Sequence, residues 1–219
     1  HGNTTKANVD ADRELTEKGT RQCQLFREHY AEALEGVSLV LASSAKRTMQ
    51  TAGLVFGDKS PVGVDDVYFV RPWRTDAMQE ADRAVGYAPI ATFMERFPGV
   101  HDAAGQAQAN AVAAALEAGG HPAGDLAICG HAGYLSFLAL EVIAALAPEL
   151  DGAEQERWVS AAREVVCGTN VGEVCAFELG PGGVTYLPNP EATDFAAATH
   201  NDAFVKGAAG GEREPSPEP

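Results

Sequence analysis

Two stretches far apart in the chain share one design. "VSLVLASS" (37–44) is an unbroken apolar run ending in two serines, and "DLAICGHAG" (125–133) is an apolar run ending in a glycine turn. Each leads into a helix-like segment, one carrying Met49, Ala52 and Val55, the other reading "YLSFLALEVIAALA" over 134–147. A strand that is apolar at consecutive positions is buried on both faces, as parallel strands covered by helices are. "LTEKGTRQCQLFREHYAEALEG" (15–36) predicts an amphipathic helix capped by Thr16, with Cys23, Phe26, Tyr30 and Leu34 on one face and Gly36 at its end. Further helices are predicted over 87–97 and 105–120, the second stopping at a double glycine. "VGEVCAFELGPGGVTYLPN" (171–189) reads as two strands around Gly-Pro-Gly-Gly, a hairpin expected to add an antiparallel edge to the sheet. Strands alternating with helices imply an α/β fold, a three-layer α/β/α sandwich with a mainly parallel central sheet. One domain is predicted over 1–190 with an extension over 191–219, and "KGAAGGEREPSPEP" (206–219), with nothing apolar enough to bury, is expected to be disordered.

The net charge of −15 argues against nucleic acid or an anionic membrane surface as partner, because both require a basic footprint. The longest apolar run, 134–147, is too short to span a bilayer and is interrupted by Glu141. No secretory segment is visible, and a cytoplasmic location is expected. Cys23, Cys129, Cys167 and Cys175 form no CxxC and are expected to be reduced and mostly buried, with a Cys167–Cys175 pair left open.

Ligands of parallel sheets bind at the carboxyl ends of the strands, facing helix N-termini. "SSAKRT" puts Arg47 in the first turn after a strand, and "CGHAG" puts His131 at the same kind of junction. A helix N-terminus favours anions and disfavours cations. Arg47 at such a place suggests an anion held between guanidinium and helix, and a guanidinium matches phosphate oxygens with paired hydrogen bonds. "HGNTT", at the head of the chain, would make a third such turn if a strand preceded it. Two histidines and an arginine would then converge on one phosphate, an arrangement suited to phosphoryl transfer through a phosphohistidine.

"HGNT" resembles the Arg-His-Gly signature of the histidine phosphatase superfamily, the phosphoglycerate-mutase-like fold, without its arginine. "LTEKGTRQ" (15–22) resembles the family's Leu-Thr-x-x-Gly-x-x-Gln helix start, "SSAKRTMQTA" (43–52) its Ser-Ser-x-x-x-Arg-Thr-x-Gln-Thr-Ala segment, and "GHAG" (130–133) its second-histidine motif. The four blocks stand in the family's order. The resemblance implies His1 as nucleophile, Arg47 and His131 as phosphate clamps, and Gly2, Asn3 and Thr4 in the loop beside the phosphate. It also implies an apolar strand ending in arginine ahead of His1, so that the first strand is missing here. The expected activity is metal-independent hydrolysis, without a cofactor, of a phosphomonoester or a phosphohistidine-type phosphoramidate; its partner is a phosphorylated small molecule or a phosphohistidine protein. The alternatives are a non-catalytic module of the same fold that binds phospho-ligands, and a phosphoglycerate-type mutase.

The proton donor is the gap. Expelling a leaving group calls for an acid near its oxygen. Asp65, Asp66, Asp76, Glu80 and Asp82 compete, with Glu80 the first choice. Gly19 stands early in a helix, where glycine is costly, and is expected to pack closely against the site loop. His29, His101, His121 and His200 lack any such context and are expected at the surface or in loops. Cys129 reads as a buried strand-end thiol.

Overall fold

The computed structural model describes residues 1–65, 80, 84, 90–120, 123–147, 152–169, 171–180 and 182–192. Strand β1 (Val37–Ser43) is the middle of a three-stranded parallel sheet, between β2 (Val62–Val64) and β3 (Asp125–Cys129). Leu41 of β1 is paired with Val62 on one side and with Ile128 on the other. Alternation along β1 sends successive side chains to opposite faces. Val40 and Ala42 lie against Met49, Ala52 and Phe56 of helix α3 (Lys46–Phe56). Leu39 and Leu41 face Val112 of α5 (Val100–Gly119) and Leu138 of α6 (Tyr134–Leu146). Helices thus cover both faces of the sheet, and this is why β1 is apolar at every position from 39 to 42. The fold is α/β, a parallel sheet covered by helices, as the repeated strand-to-helix design implies.

The predicted helix over 15–36 is broken. It divides at Tyr30 into α1 (Glu17–His29) and α2 (Ala31–Glu35). The Tyr30 hydroxyl donates to the Pro188 carbonyl at 2.8 Å, and the ring lies 4.6 Å from Phe26, so an anchor distant in sequence turns the chain where the local pattern would continue it. Cys23, Phe26, Tyr30 and Leu34 still share one apolar cluster, and the Thr16 hydroxyl accepts from the Gly19 N–H at 3.1 Å, the expected cap. Gly36 ends α2 without left-handed backbone; a side chain there would strike the Asp125 carboxylate at 2.5 Å, and its carbonyl accepts from the Asp125 N–H.

Helix α4 (Ile90–Arg96) falls within the segment predicted over 87–97, whose start lies outside the described residues. Helix α5 begins at Val100, a turn and a half before the predicted Gly105. This places His101 in its first turn, 12% exposed and bonded to Asp102 at 2.8 Å, a half-buried helical residue and not the surface or loop histidine expected. His29 is exposed, while His121 and His200 lie outside the described residues. Helix α7 (Gly152–Gly168) carries no counterpart in the sequence expectations. It buries only Ala162 and Val166, too thin a stripe to stand out in the pattern.

Strands β4 (Ala176–Gly180) and β5 (Gly183–Leu187) form the expected hairpin, with Gly183 at φ 131°. Among the described residues it pairs only with itself and does not extend the parallel sheet as an antiparallel edge. Its apolar side joins the cluster built by α4, α5, α6 and α7 around Phe93, Phe137, Leu140 and Ile143. The four cysteines are free thiols, which closes the possibility of a Cys167–Cys175 pair, but only Cys23 is buried, the other three being half-buried and not mostly buried as expected. Among the described residues no helix is long and apolar enough to cross a membrane. The segment 206–219 lies outside the described residues.

Candidate active site

Three turns far apart in sequence meet at the carboxyl ends of β1 and β3. The first is the opening turn. The Asn3 carbonyl accepts from the Thr16 N–H at 3.0 Å, and Thr4 bridges Leu15 in antiparallel fashion. This turn rests directly on the start of α1: a Cβ on Gly19 would lie 2.2 Å from the Asn3 carbonyl oxygen, and one on Gly2 would lie 2.9 Å from the Gly19 oxygen. The early glycine of α1 therefore serves backbone-to-backbone contact with the turn.

The second turn joins β1 to α3. It delivers Ser43, fully buried, and Arg47, 2% exposed. The Thr48 hydroxyl donates to the Ser43 carbonyl at 2.8 Å, which fixes the turn from within. Thr51, one turn of α3 later, donates to the Arg47 carbonyl at 2.8 Å and accepts from the Gly2 N–H at 3.2 Å, joining the first turn to the second. The third turn joins β3 to α6 and carries His131, 3% exposed. Gln108 of α5, itself fully buried, donates to the Tyr134 carbonyl at 3.0 Å and holds the start of α6.

His1, Arg47 and His131 are brought together. The two imidazoles lie edge to face with centroids 5.2 Å apart. Nδ1 of His1 is 2.8 Å from the Gly2 carbonyl, an acceptor, so Nδ1 carries the proton and Nε2 keeps a free lone pair. Arg47 Nη2 stands 3.3 Å from Nδ1 of His131 and donates to it, which assigns the His131 proton to Nε2, 3.0 Å from the Ser43 hydroxyl oxygen. The His1 backbone also links two elements: its nitrogen donates to the Gly130 carbonyl, and its carbonyl accepts from the Val174 N–H at 3.2 Å. Cys129, just before the third turn, has its thiol pushed up to about 11 by burial and stays protonated at neutral pH, in keeping with a strand-end thiol.

The other expected loop residues have partners within the protein. The Asn3 side chain donates to Glu173 at 2.8 Å and accepts from the Thr16 hydroxyl at 2.9 Å. The Thr4 hydroxyl accepts from Arg13. Of the proton-donor candidates, Asp65 and Glu80 are exposed, while Asp66, Asp76 and Asp82 lie outside the described residues. Among the described residues no group of three or more histidine, cysteine or acidic side chains is disposed to hold a metal ion. Sequence reasoning assigned no role to Ser43, Gln22 or Thr51, although they stand within the quoted motifs. It passed over Glu173 entirely, for no local pattern marks a partner 170 residues from Asn3.

The family model of the histidine phosphatase superfamily, branch 1, matches residues 1–68, so three of the four sequence blocks carry the signature of that superfamily. No curated protein matches the chain in sequence. Among solved structures it is similar to the α-ribazole phosphatase of Shigella flexneri (19% identity, TM-score 0.47, covering 86% of this chain and 93% of that one). It is also similar to a phosphoserine phosphatase mutant of Entamoeba histolytica solved with phosphoserine (13% identity, TM-score 0.46, 84% and 90% covered). A third is a structure from Agrobacterium tumefaciens assigned as the phosphohistidine phosphatase SixA (18% identity, TM-score 0.39, 65% and 72% covered).

Proposed function

We propose that the chain is a phosphatase that works through a phosphohistidine on His1. The carrying observation is the bond from His1 Nδ1–H to the Gly2 carbonyl, because it leaves Nε2 as a lone-pair nucleophile beside two buried nitrogenous side chains. Nε2 attacks phosphorus, the P–O or P–N bond to the leaving group breaks, and the leaving group takes a proton as it departs. Water then attacks the phosphorus, the N–P bond breaks, and inorganic phosphate is released with His1 restored.

Arg47 supplies the principal charge stabilisation. Its guanidinium is buried, so its interaction with a phosphate is screened by little water. It donates to His131 Nδ1, and an arriving phosphate offers better acceptor oxygens. The substrate class is a phosphorylated small molecule or a phosphohistidine protein, and substrates with good leaving groups, such as phosphoramidates, make the least demand on a proton donor.

Incubation with a labelled aryl phosphate, followed by rapid quenching, tests the reading. The trapped intermediate should be labile in acid and stable in base, should map to His1, and should form in the presence of a chelator. A phosphoserine or phosphothreonine in its place, or no turnover at all, overturns the mechanism.

A further inference from the structure

Glu173 stands in the stretch quoted for the hairpin, where no role was assigned to it, yet its carboxylate closes a chain of bonds that ends on the nucleophile. Its Oε2 accepts from Gln22 Nε2 at 2.9 Å. The same Gln22 amide turns its Oε1 to the Asn3 N–H at 3.0 Å. That N–H and the Gly2 carbonyl belong to one peptide plane, and the carbonyl is the acceptor for His1 Nδ1–H. The plane that orients the imidazole is thus gripped at its far end by Gln22, and the sense of the Gln22 amide is set by Glu173. Meanwhile Glu173 Oε1 accepts from Asn3 Nδ2, so one carboxylate holds both ends of the next residue.

The neighbouring residue completes the bracket. Val174 donates its N–H to the His1 carbonyl and has φ 50°, the only non-glycine with positive φ among the described residues. A β-branched residue is disfavoured in that region and persists there only when its surroundings hold it. The holding group is the fully buried Asn189, whose amide donates to the Val174 carbonyl at 3.3 Å and to the Gln22 carbonyl at 3.1 Å. Strained backbone and carboxylate thus act on consecutive sides of the opening turn, on residue 1 and on residue 3.

We infer that Glu173 is a positioning residue for the nucleophile, which through Gln22 and the Gly2–Asn3 peptide fixes the rotamer and the Nδ1–H tautomer of His1. The inference rests on the reading of His1 as nucleophile. A carboxylate is required because two amide donors, Asn3 Nδ2 and Gln22 Nε2, converge on it; a glutamine at 173 satisfies only one of them and opposes its own N–H₂ to the other. Exchanging the two groups repairs this: in Q22E/E173Q the new glutamine donates to the new glutamate and still accepts from Asn3, and every bond of the chain has a donor and an acceptor again.

The test uses the full 219-residue chain with an aryl phosphate, alongside ¹⁵N NMR of labelled histidine. E173Q is expected to lower kcat about 10-fold with KM little changed, less than the roughly 10²-fold that a 1 Å misplacement of a reacting group can cost, and to mix the His1 tautomers. Q22E, with two carboxylates face to face, is expected to be at least as damaging. Q22E/E173Q is expected to restore both kcat and the single tautomer. Wild-type kcat and tautomer in E173Q overturn the inference, and so does a double variant no better than E173Q, which would give the charge at 173 itself the role. If the wild-type enzyme forms no phosphohistidine at all, the parent reading fails instead; the NMR arm still reports on whether Glu173 orients His1.

Discussion

The two halves of the molecule are held by different means. In the opening half, residues 1–60, backbone N–H groups of the site turn and its neighbours are met by side chains: Gly2 by Thr51, Asn3 by Gln22, Leu15 by Gln50 and Gly19 by Thr16. In the later part, α4, α5, α6 and α7 close around the apolar side chains Phe93, Phe137, Leu140 and Ile143. Charge divides in the same way. Residues 1–60 hold eight basic and eight acidic side chains, so the whole excess of −15 belongs to the remainder. Residues 1–60 are therefore neutral in sum and carry a cationic group, Arg47, inside.

Substitutions can break this comparison. The largest effect is expected from F137A, which empties the middle of the apolar half: loss of about 3–5 kcal/mol of stability, as for other buried aromatics, read by urea unfolding, with kcat per folded molecule near that of the parent. Next is R47M, with the opposite signature. Turnover should fall roughly 10²-fold or more, the scale of one lost preorganised donor, while the melting temperature should not drop, because a buried guanidinium facing His131 across a helix N-terminus adds little to folding. A variant of Arg47 that unfolds but keeps full turnover in its folded fraction would erase the distinction between the halves.

G19A should do both things moderately. The new methyl meets the Asn3 carbonyl at 2.2 Å, backbone against backbone, so the turn must shift. A stability loss of about 1–3 kcal/mol is expected from overpacking, together with a lower kcat, and a crystal structure of the variant should show residues 1–3 displaced. The smallest effect concerns pH. Burial raises the Cys129 thiol from 9.0 to about 11, so the folded state holds that proton more tightly than the unfolded chain. Its contribution to stability is complete below about pH 9 and is lost as pH rises toward 11. Unfolding midpoints at pH 8 and 10.5 should converge in C129A relative to the parent; an unchanged pH dependence would remove Cys129 as its source.

Much of this arrangement could be read in advance from particular residues. The consecutive apolar positions of β1 announced a strand covered on both faces, and Thr16, Arg47 and His131 stand where the strand-to-helix pattern places them. Tyr30 shows where local reading stops: its periodicity continues the helix, but a hydrogen bond to Pro188 ends it. The hairpin was legible from its glycines, yet its separation from the parallel sheet was not, since edge pairing depends on what lies alongside. Helix α7 was invisible because only two of its residues are buried.

What the sequence by itself determined is the kind of fold and the two groups, Arg47 and His131, that follow strand ends, because periodicity and turn chemistry act over a few neighbouring residues. Tertiary structure alone decided which nitrogen of each histidine ring donates and which accepts. That depends on the Gly2 carbonyl, Arg47 and Ser43 arriving around the rings, and on Glu173 and Val174 returning from the other end of the domain to hold the first residues in place. Hydrogen bonds are directional and short, so their partners are assigned only when the chain has closed.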